Sequence, residues 1–192
     1  MLQIKNISFG YKNALVLQHI SFNVKKGEHL SVIGESGSGK STILRAVMGL
    51  IPNWSGTISV DGRPVDKKRE KSFYKVAQMV FQDPYASLNP RMTVFETLSE
   101  PLNSFYPGMN RDSIEKDVEA AILEVGLGVE FLGRYPHELS GGQCQRIAIA
   151  RALMPKPQLL ICDEAVSALD ASIRAEIIDL LLKMRILDQM II

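Results

Sequence analysis

Gly34-Glu35-Ser36-Gly37-Ser38-Gly39-Lys40-Ser41 is the stretch that decides the fold of this chain. It fits the phosphate-binding loop pattern G-x-x-x-x-G-K-[ST] at every fixed position. The apolar run Leu30-Ser31-Val32-Ile33 precedes it with the length and branching of a buried strand. Residues 41–48 follow it with the apolar spacing of a helix. This order of strand, loop and helix predicts a site that holds phosphate.

The loop residues have separate expected roles. The glycines of the loop let backbone N–H groups turn inward around phosphates, and the N-terminus of the following helix adds its positive dipole end. We expect Lys40 to reach the β- and γ-phosphates and the Ser41 hydroxyl to complete the coordination of Mg²⁺. The expected nucleotide-binding set is the whole loop and the next residue, namely Gly34, Glu35, Ser36, Gly37, Ser38, Gly39, Lys40, Ser41 and Thr42.

Length and composition predict a single globular domain. The chain has 192 residues, of which 46% are hydrophobic, and a net charge of +1 with both signs interspersed. Nucleic-acid binders carry a basic stripe that this pattern lacks, so we expect no nucleic-acid ligand. No apolar run approaches about 18 residues, and the first residues lack a secretory apolar region. These features predict a cytoplasmic protein.

Cysteines and histidines give no metal or disulfide signal. Cys144 and Cys162 are far apart in apolar surroundings, which predicts two buried thiols. The three histidines, at positions 19, 29 and 137, are scattered along the chain.

The first third of the chain predicts an antiparallel β layer around the loop. Residues 2–9 and 20–24 alternate apolar and polar side chains, with Tyr11 in a polar loop between them. Residues 57–60 predict a strand that Asp61-Gly62 closes into a hairpin. The charge run 67–71 is interpreted as a solvated face, and residues 76–81 predict another strand.

The rest of the chain divides into an insertion and a return to the core. Residues 85–138 carry apolar residues at helical spacing, so the nucleotide-binding core is expected to comprise 1–84 and 139–192 around a helical insertion. Ser140 is expected to cap a helix that runs to residue 153. Residues 159–162 predict a short buried strand, and 173–184 predict an amphipathic helix.

Two carboxylates follow the short apolar strand of residues 159–162. Ligands of open α/β sheets bind at the carboxyl ends of the strands, where Asp163 and Glu164 stand. We expect Asp163 to hold Mg²⁺ and Glu164 to polarise the attacking water. Phosphoryl transfer is mainly positioning and electrostatics, so one metal, one lysine and one water-orienting group suffice.

Leu139-Ser140-Gly141-Gly142-Gln143 predicts a second phosphate site, because a Ser-Gly-Gly helix start presents bare N–H groups to an anion. With the loop, this pentapeptide resembles the ATP-binding cassette (ABC) family, in which it is the signature. The resemblance implies an α/β P-loop NTPase fold with a mostly parallel core sheet, an N-terminal antiparallel layer and a helical subdomain. It also implies ATP as ligand and head-to-tail pairing, in which the signature residues Ser140, Gly141, Gly142 and Gln143 cap the ATP of the facing cassette.

Three further residues take roles from this resemblance. Tyr11 resembles the aromatic residue that stacks on adenine, although it could be a surface residue. Gln82 resembles the glutamine that links Mg²⁺ and the catalytic water to the membrane partner. Asp170 resembles the residue of the loop that contacts the facing cassette, and it could also cap the following helix.

Residues 81–94 resemble the peptide and nickel importer branch of the family. Ala165-Val166 replaces the commoner Pro-Thr and is similar to nickel-import ATPases, so nickel or a related chelate is preferred over di- and oligopeptides as cargo. The implied partners are a second ATPase subunit, equal or different, membrane permease subunits and, indirectly, a solute-binding protein. The implied location is the cytoplasmic face of the cell membrane.

The resemblance stops before the end of the chain. Family cassettes continue to a further strand followed by a histidine that contacts the γ-phosphate, and residues 185–192 resemble no part of that region. We therefore expect the final core strands to be missing and hydrolysis to be impaired. Two alternatives to a working importer ATPase follow: an ATP-binding remnant, and a non-transport cassette protein of translation or DNA repair.

Overall fold

The computed structural model describes residues 1–11, 14–163, 174–176, 178–179 and 190–191. Its strands are β1 (Leu2–Tyr11), β2 (Ala14–Val24), β3 (His29–Leu30), β4 (Ser55–Val60), β5 (Arg63–Pro64), β6 (Ala77–Val80), β7 (Leu159–Cys162) and β8 (Met190–Ile191). Its α-helices are α1 (Lys40–Val47), α2 (Lys71–Val76), α3 (Pro84–Ser87), α4 (Val94–Phe105), α5 (Arg111–Glu124) and α6 (Gly141–Leu153). Short 3-10 turns cover Val129–Phe131 and Pro136–Glu138, and the described residues among 174–179 are helical.

The N-terminal layer is an antiparallel sheet with strand order β2-β1-β4-β5. Ile4 pairs with Phe22 on one side and with Ile58 on the other. The predicted hairpin is confirmed, since Val60 pairs with Arg63 across Asp61 and Gly62, which both have positive φ. Tyr11 was expected in a loop, but backbone pairing with Ala14 extends β1 through it.

The core sheet is parallel, with strand order β3-β8-β7-β6. β8 lies between the strand that leads to the phosphate loop and β7, and it pairs with both. The final core strands were expected to be missing, and the structure differs in one respect, since residues 190–191 supply one short strand of the core sheet. Two apolar residues are too short a run for periodicity to distinguish from a loop, and only their pairing reveals the strand.

β3 is shorter than the sequence predicts. It ends at Leu30, and residues 31–33 have no regular structure. Ile33 is 93% exposed, contrary to the expected buried strand. The pairing explains the difference, because β8 meets β3 only at His29 and Leu30 and no described residue pairs beyond that point.

The parallel sheet separates two apolar cores. Successive side chains of a strand point to opposite faces, and in β7 Leu159 and Ile161 pack with the N-terminal layer and α1. Leu160 and Cys162 pack instead with α4, α5 and α6. The carboxyl end of β7 therefore lies at the boundary of both cores.

The charge run 67–71 is not a uniformly solvated face. Lys68 is exposed, whereas Arg69 keeps only 7% of its surface exposed. Lys71 begins α2, which continues to Val76 and delays the start of β6 to Ala77. Among the residues that the structure describes, no helix has both the length and the apolar content of a membrane span.

Candidate nucleotide-binding site

The phosphate-binding loop ends in a left-handed turn that starts α1. Gly39 occupies the N-cap position with φ of 97°, and no side chain caps this end of the helix. Gly37 also has positive φ. A Cβ atom on Gly39 would lie 2.9 Å from Cδ2 of Leu17 on β2. The helix thus begins with backbone N–H groups that an anion can bind, in a turn that glycine adopts at little cost.

Lys40 lies back over the loop that precedes it. Its Nζ donates hydrogen bonds of 2.8 Å to the carbonyl oxygens of Gly34 and Glu35. These contacts hold the ammonium group inside the curve of the loop. A phosphate placed among the loop N–H groups would therefore meet a positive charge that is already positioned.

Ser41 and Asp163 meet although 122 residues separate them. The Ser41 hydroxyl donates a 2.7 Å hydrogen bond to Oδ1 of Asp163. Asp163 directly follows β7 and is 4% exposed. A hydroxyl and a carboxylate oxygen are the hard ligands that Mg²⁺ prefers, so this pair fits the expected ion.

Gln82 lies at the same edge of the sheet. The Asp163 N–H donates to the carbonyl oxygen of Val80 at 3.0 Å, which continues the pairing of β6 with β7. Gln82 follows Val80 by two residues and is exposed. The carboxyl ends of β6 and β7 therefore bring Gln82 and Asp163 to one side of the loop.

The signature forms the start of α6 with a complete capping box. Ser140 Oγ accepts from the Gln143 N–H at 3.3 Å, and Gln143 Oε1 accepts from the Ser140 N–H at 2.9 Å. Gly141 is half-buried and Gly142 is buried. The cap confirms the predicted helix start and leaves Ser140 exposed at the surface.

Two contacts near the signature were not foreseen from the sequence. The Tyr85 hydroxyl donates to the carbonyl oxygen of Leu139, and Arg151 Nη1 donates to the carbonyl oxygen of Ser87. The first joins α3 to the residue before the N-cap of α6, and the second joins α3 to α6 itself. Each spans more than fifty residues of sequence, which no local pattern can predict. Tyr85 follows Gln82 by only three residues, and this closeness in sequence was the available hint that the segment belongs to the site.

Both cysteines are free, buried thiols, as predicted. Burial raises the pKa of Cys162 to about 12. Burial also raises the pKa of Cys144, and a hydrogen bond with Tyr85 opposes this in part. No group of three or more metal-binding side chains of the His, Cys, Asp and Glu type occurs within the described ranges.

Three predicted site residues cannot be placed in this geometry. Glu164 and Asp170 lie outside the described residues, and for Tyr11 the structure describes the backbone pairing alone. Their roles stay predictions from the sequence.

Comparison with known proteins points to one family. Residues 17–167 match the family model described as ABC transporter. The oligopeptide transport ATP-binding protein OppF of Haemophilus influenzae is 47% identical over 181 residues, covering 92% of this chain and 54% of that protein. AppF of Bacillus subtilis, also an oligopeptide transport ATP-binding protein, is 50% identical over 166 residues, covering 84% and 50%. The chain thus spans about half the length of these curated relatives.

A solved structure shares the fold over the full chain. It is the dimeric, post-hydrolysis ATP-binding cassette MJ0796 bound to ADP and Pi, with a TM-score of 0.88 and 30% identity. The match covers 100% of this chain and 86% of the MJ0796 chain. The predicted P-loop fold with an antiparallel layer and a helical subdomain is confirmed. The preference for nickel is not supported, since the names of these relatives specify oligopeptides.

Proposed function

The chain belongs to the ABC transporter family of ATPases, and we propose that it binds and hydrolyses ATP to drive an importer. The contact that carries this proposal is the 2.7 Å hydrogen bond from Ser41 Oγ to Asp163 Oδ1. It joins the phosphate-binding loop to the acidic end of β7, so the groups proposed to bind the triphosphate and its metal lie next to each other.

The residues of the nucleotide site have separate tasks in this reaction. The N–H groups at the start of α1 and the Lys40 ammonium bind the phosphates and offset their charge. Ser41 and Asp163 would hold Mg²⁺, with Gln82 beside them. When bound, Mg²⁺ neutralises charge that develops on the transferring phosphoryl group. Glu164 orients and polarises the attacking water, and Tyr11 stacks on the base.

The signature supports pairing of two cassettes. Ser140, Gly141, Gly142 and Gln143 form a helix start on a chain that already has a complete phosphate loop. We propose that they cap the nucleotide of a facing cassette, with Asp170 contacting it. The dimeric state of the solved MJ0796 cassette supports this arrangement at a general level.

A groove between the two cores supports docking to a membrane subunit. Its wall includes Phe81 next to Gln82, Pro101 and Phe105 of α4, and Arg151 of α6, and its volume is about 280 Å³. A permease segment bound there would lie beside Gln82, which links cargo handling to the phosphate site. The protein would then act as a peripheral subunit on the cytoplasmic face of the membrane.

We propose an oligopeptide as the cargo. OppF and AppF, at 47% and 50% identity, are both named for oligopeptide transport. The Ala165-Val166 pair is the feature that keeps nickel as the second candidate. Uptake of labelled oligopeptide and of radiolabelled nickel, measured in the source cells with and without this gene, distinguishes the two. Loss of nickel uptake with unchanged peptide uptake would contradict the peptide assignment.

The nucleotide site is tested by Lys40→Ala in the full-length protein. The variant should lose ATP binding or hydrolysis, because the charge directed at the phosphates is removed. Lys116→Ala is the matched control, since Lys116 is an exposed lysine of α5. Unchanged ATP affinity and unchanged phosphate release in Lys40→Ala would contradict the assignment.

A further inference from the structure

Tyr85 connects the segment after Gln82 to the signature. Its hydroxyl donates a 2.9 Å hydrogen bond to the carbonyl oxygen of Leu139, the residue directly before Ser140. Its ring edge also lies beside the signature, since a Cβ atom on Gly141 would be 3.8 Å from Tyr85 Cε2. One side chain therefore bonds to the residue before the N-cap of α6 and lies beside the residue after it.

The segment that carries Tyr85 is itself fixed. Asp83 caps α3 by accepting from the Ala86 N–H at 3.1 Å. At the other end of α3, Arg151 Nη1 donates a 2.6 Å hydrogen bond to the carbonyl oxygen of Ser87. Because α3 is held to α6 at its far end by Arg151, Tyr85 has a firm support from which to hold the signature.

We propose that Tyr85 is a positioning residue for the signature. It holds the signature in the position and orientation that contact with the nucleotide of a facing cassette requires. The hydroxyl fixes the carbonyl group that precedes Ser140, and the ring supports Gly141. This role rests on the head-to-tail pairing proposed above. It differs from that of Gln82, which belongs to the phosphate site of the same chain.

Tyr85→Phe is the discriminating variant, because it removes the hydroxyl and keeps the ring. Loss of the hydroxyl, with its hydrogen bonds to the Leu139 carbonyl oxygen and to Cys144, should lower the rate of phosphate release about two- to tenfold. Tyr85→Ala, which also removes the ring support, should lower it further. The affinity of each single chain for ATP should not change, since the phosphate loop is untouched.

Mixed dimers of two differently tagged full-length copies distinguish a positioning role of Tyr85 from a purely structural one. One copy carries Lys40→Ala, so the dimer has a single working loop, which faces the signature of the Lys40→Ala copy. Placed on the Lys40→Ala copy, Tyr85→Phe should lower phosphate release by the same two- to tenfold. Placed on the copy with the working loop, it should leave the rate at that of the reference pair.

Two controls interpret the result. Tyr135→Phe, at an exposed tyrosine stacked on His137, should have no effect on either copy. Gly141→Asp should abolish hydrolysis when it is placed on the Lys40→Ala copy, and should have no effect when it is placed on the copy with the working loop. If Gly141→Asp behaves this way but Tyr85→Phe acts only from the copy with the working loop, or from neither copy, the role of Tyr85 is overturned and the pairing stands. If Gly141→Asp shows no preference between copies, the pairing is wrong and the role of Tyr85 falls with it.

Discussion

Arg69 binds the carbonyl oxygen of Val47 with two of its nitrogens, Nε at 3.0 Å and Nη2 at 2.8 Å. Nη2 also donates to the carbonyl oxygen of Ala46 at 2.9 Å. These oxygens belong to the last turn of α1, where a cation complements the helix dipole. The guanidinium lies over the ring of Phe73, 5.1 Å from its centroid. Arg69 thus fixes the end of the helix whose start carries Lys40 and Ser41.

Arg69→Met should destabilise the fold. It removes the donors of three hydrogen bonds from a site that is 7% exposed, so the free energy of unfolding should fall by about 2–3 kcal/mol. Arg69→Lys keeps the charge but loses the forked donors, so its free energy of unfolding should lie between those of the parent protein and Arg69→Met. Lys68→Met, at the exposed neighbouring residue, should change it by less than about 0.5 kcal/mol. Denaturant unfolding measures all three, and equal losses for Arg69→Met and Lys68→Met would contradict the role of Arg69.

Local patterns in the sequence predicted what depends on local chemistry. The helix start at the end of the phosphate loop, the Asp61-Gly62 turn and the Ser140 cap each need residues within a few positions of one another, and all three form as predicted. The start of β7 and the burial of Cys162 follow from one short apolar run.

What could not be predicted depends on distant contacts. In the sequence, Arg69 is one of five consecutive charged residues, 67–71, and only its contacts with the carbonyl groups of α1 explain its burial. Ile33 reads as a strand residue, yet β3 ends where its neighbour β8 ends. The pairing of Ser41 with Asp163 was expected through a shared metal, and the structure adds a direct hydrogen bond between them.

Ser41 should be replaceable by threonine but not by alanine. Ser41→Thr keeps the hydroxyl that contacts Asp163, and threonine satisfies the phosphate-loop pattern. Ser41→Ala removes one expected metal ligand, so half-maximal hydrolysis should require about tenfold more Mg²⁺. Phosphate release across a Mg²⁺ titration measures this, with Ser72→Ala on the exposed face of α2 as control. An unchanged Mg²⁺ requirement in Ser41→Ala would remove Ser41 from the metal site.

Two glycines of the loop should differ in their tolerance of alanine. Gly37 and Gly39 both have positive φ, so alanine at either costs about 1 kcal/mol in backbone strain. A Cβ atom at Gly37 meets nothing within 4 Å, whereas at Gly39 it lies 2.9 Å from Leu17 Cδ2 and 3.2 Å from the Val16 carbonyl oxygen. Thermal unfolding should therefore show a larger loss for Gly39→Ala than for Gly37→Ala. The reverse order would show that β2 does not pack against the loop as described.

Cys162 should resist thiol reagents in the folded protein. Its pKa of about 12 keeps it protonated at pH 8.5, where an ordinary thiol is about half ionised. Alkylation by iodoacetamide should be about 10³-fold slower than in denaturant, from the smaller thiolate fraction. The neutral thiol is favoured in the fold, so stability is full below the ordinary pKa and falls as pH rises above it toward 12. Cys162→Ala should weaken that alkaline loss, and equal alkylation rates in both states would refute the burial.

Glu164→Gln should separate ATP binding from ATP hydrolysis. Lys40, the N–H groups of α1 and the Ser41–Asp163 pair are the groups proposed above to bind the triphosphate and its metal, and none of them changes in this variant. An amide has the shape of the carboxylate but cannot accept a proton from water, so phosphate release should fall by about 10²-fold or more. ATP affinity should stay within about twofold of the parent, since ground-state binding and transition-state stabilisation are distinct. Glu119→Gln, at an exposed carboxylate of α5, is the matched control and should change neither quantity. Binding titrations and phosphate release on the same full-length samples give both numbers, and parental turnover in Glu164→Gln would assign the water-polarising role to another group.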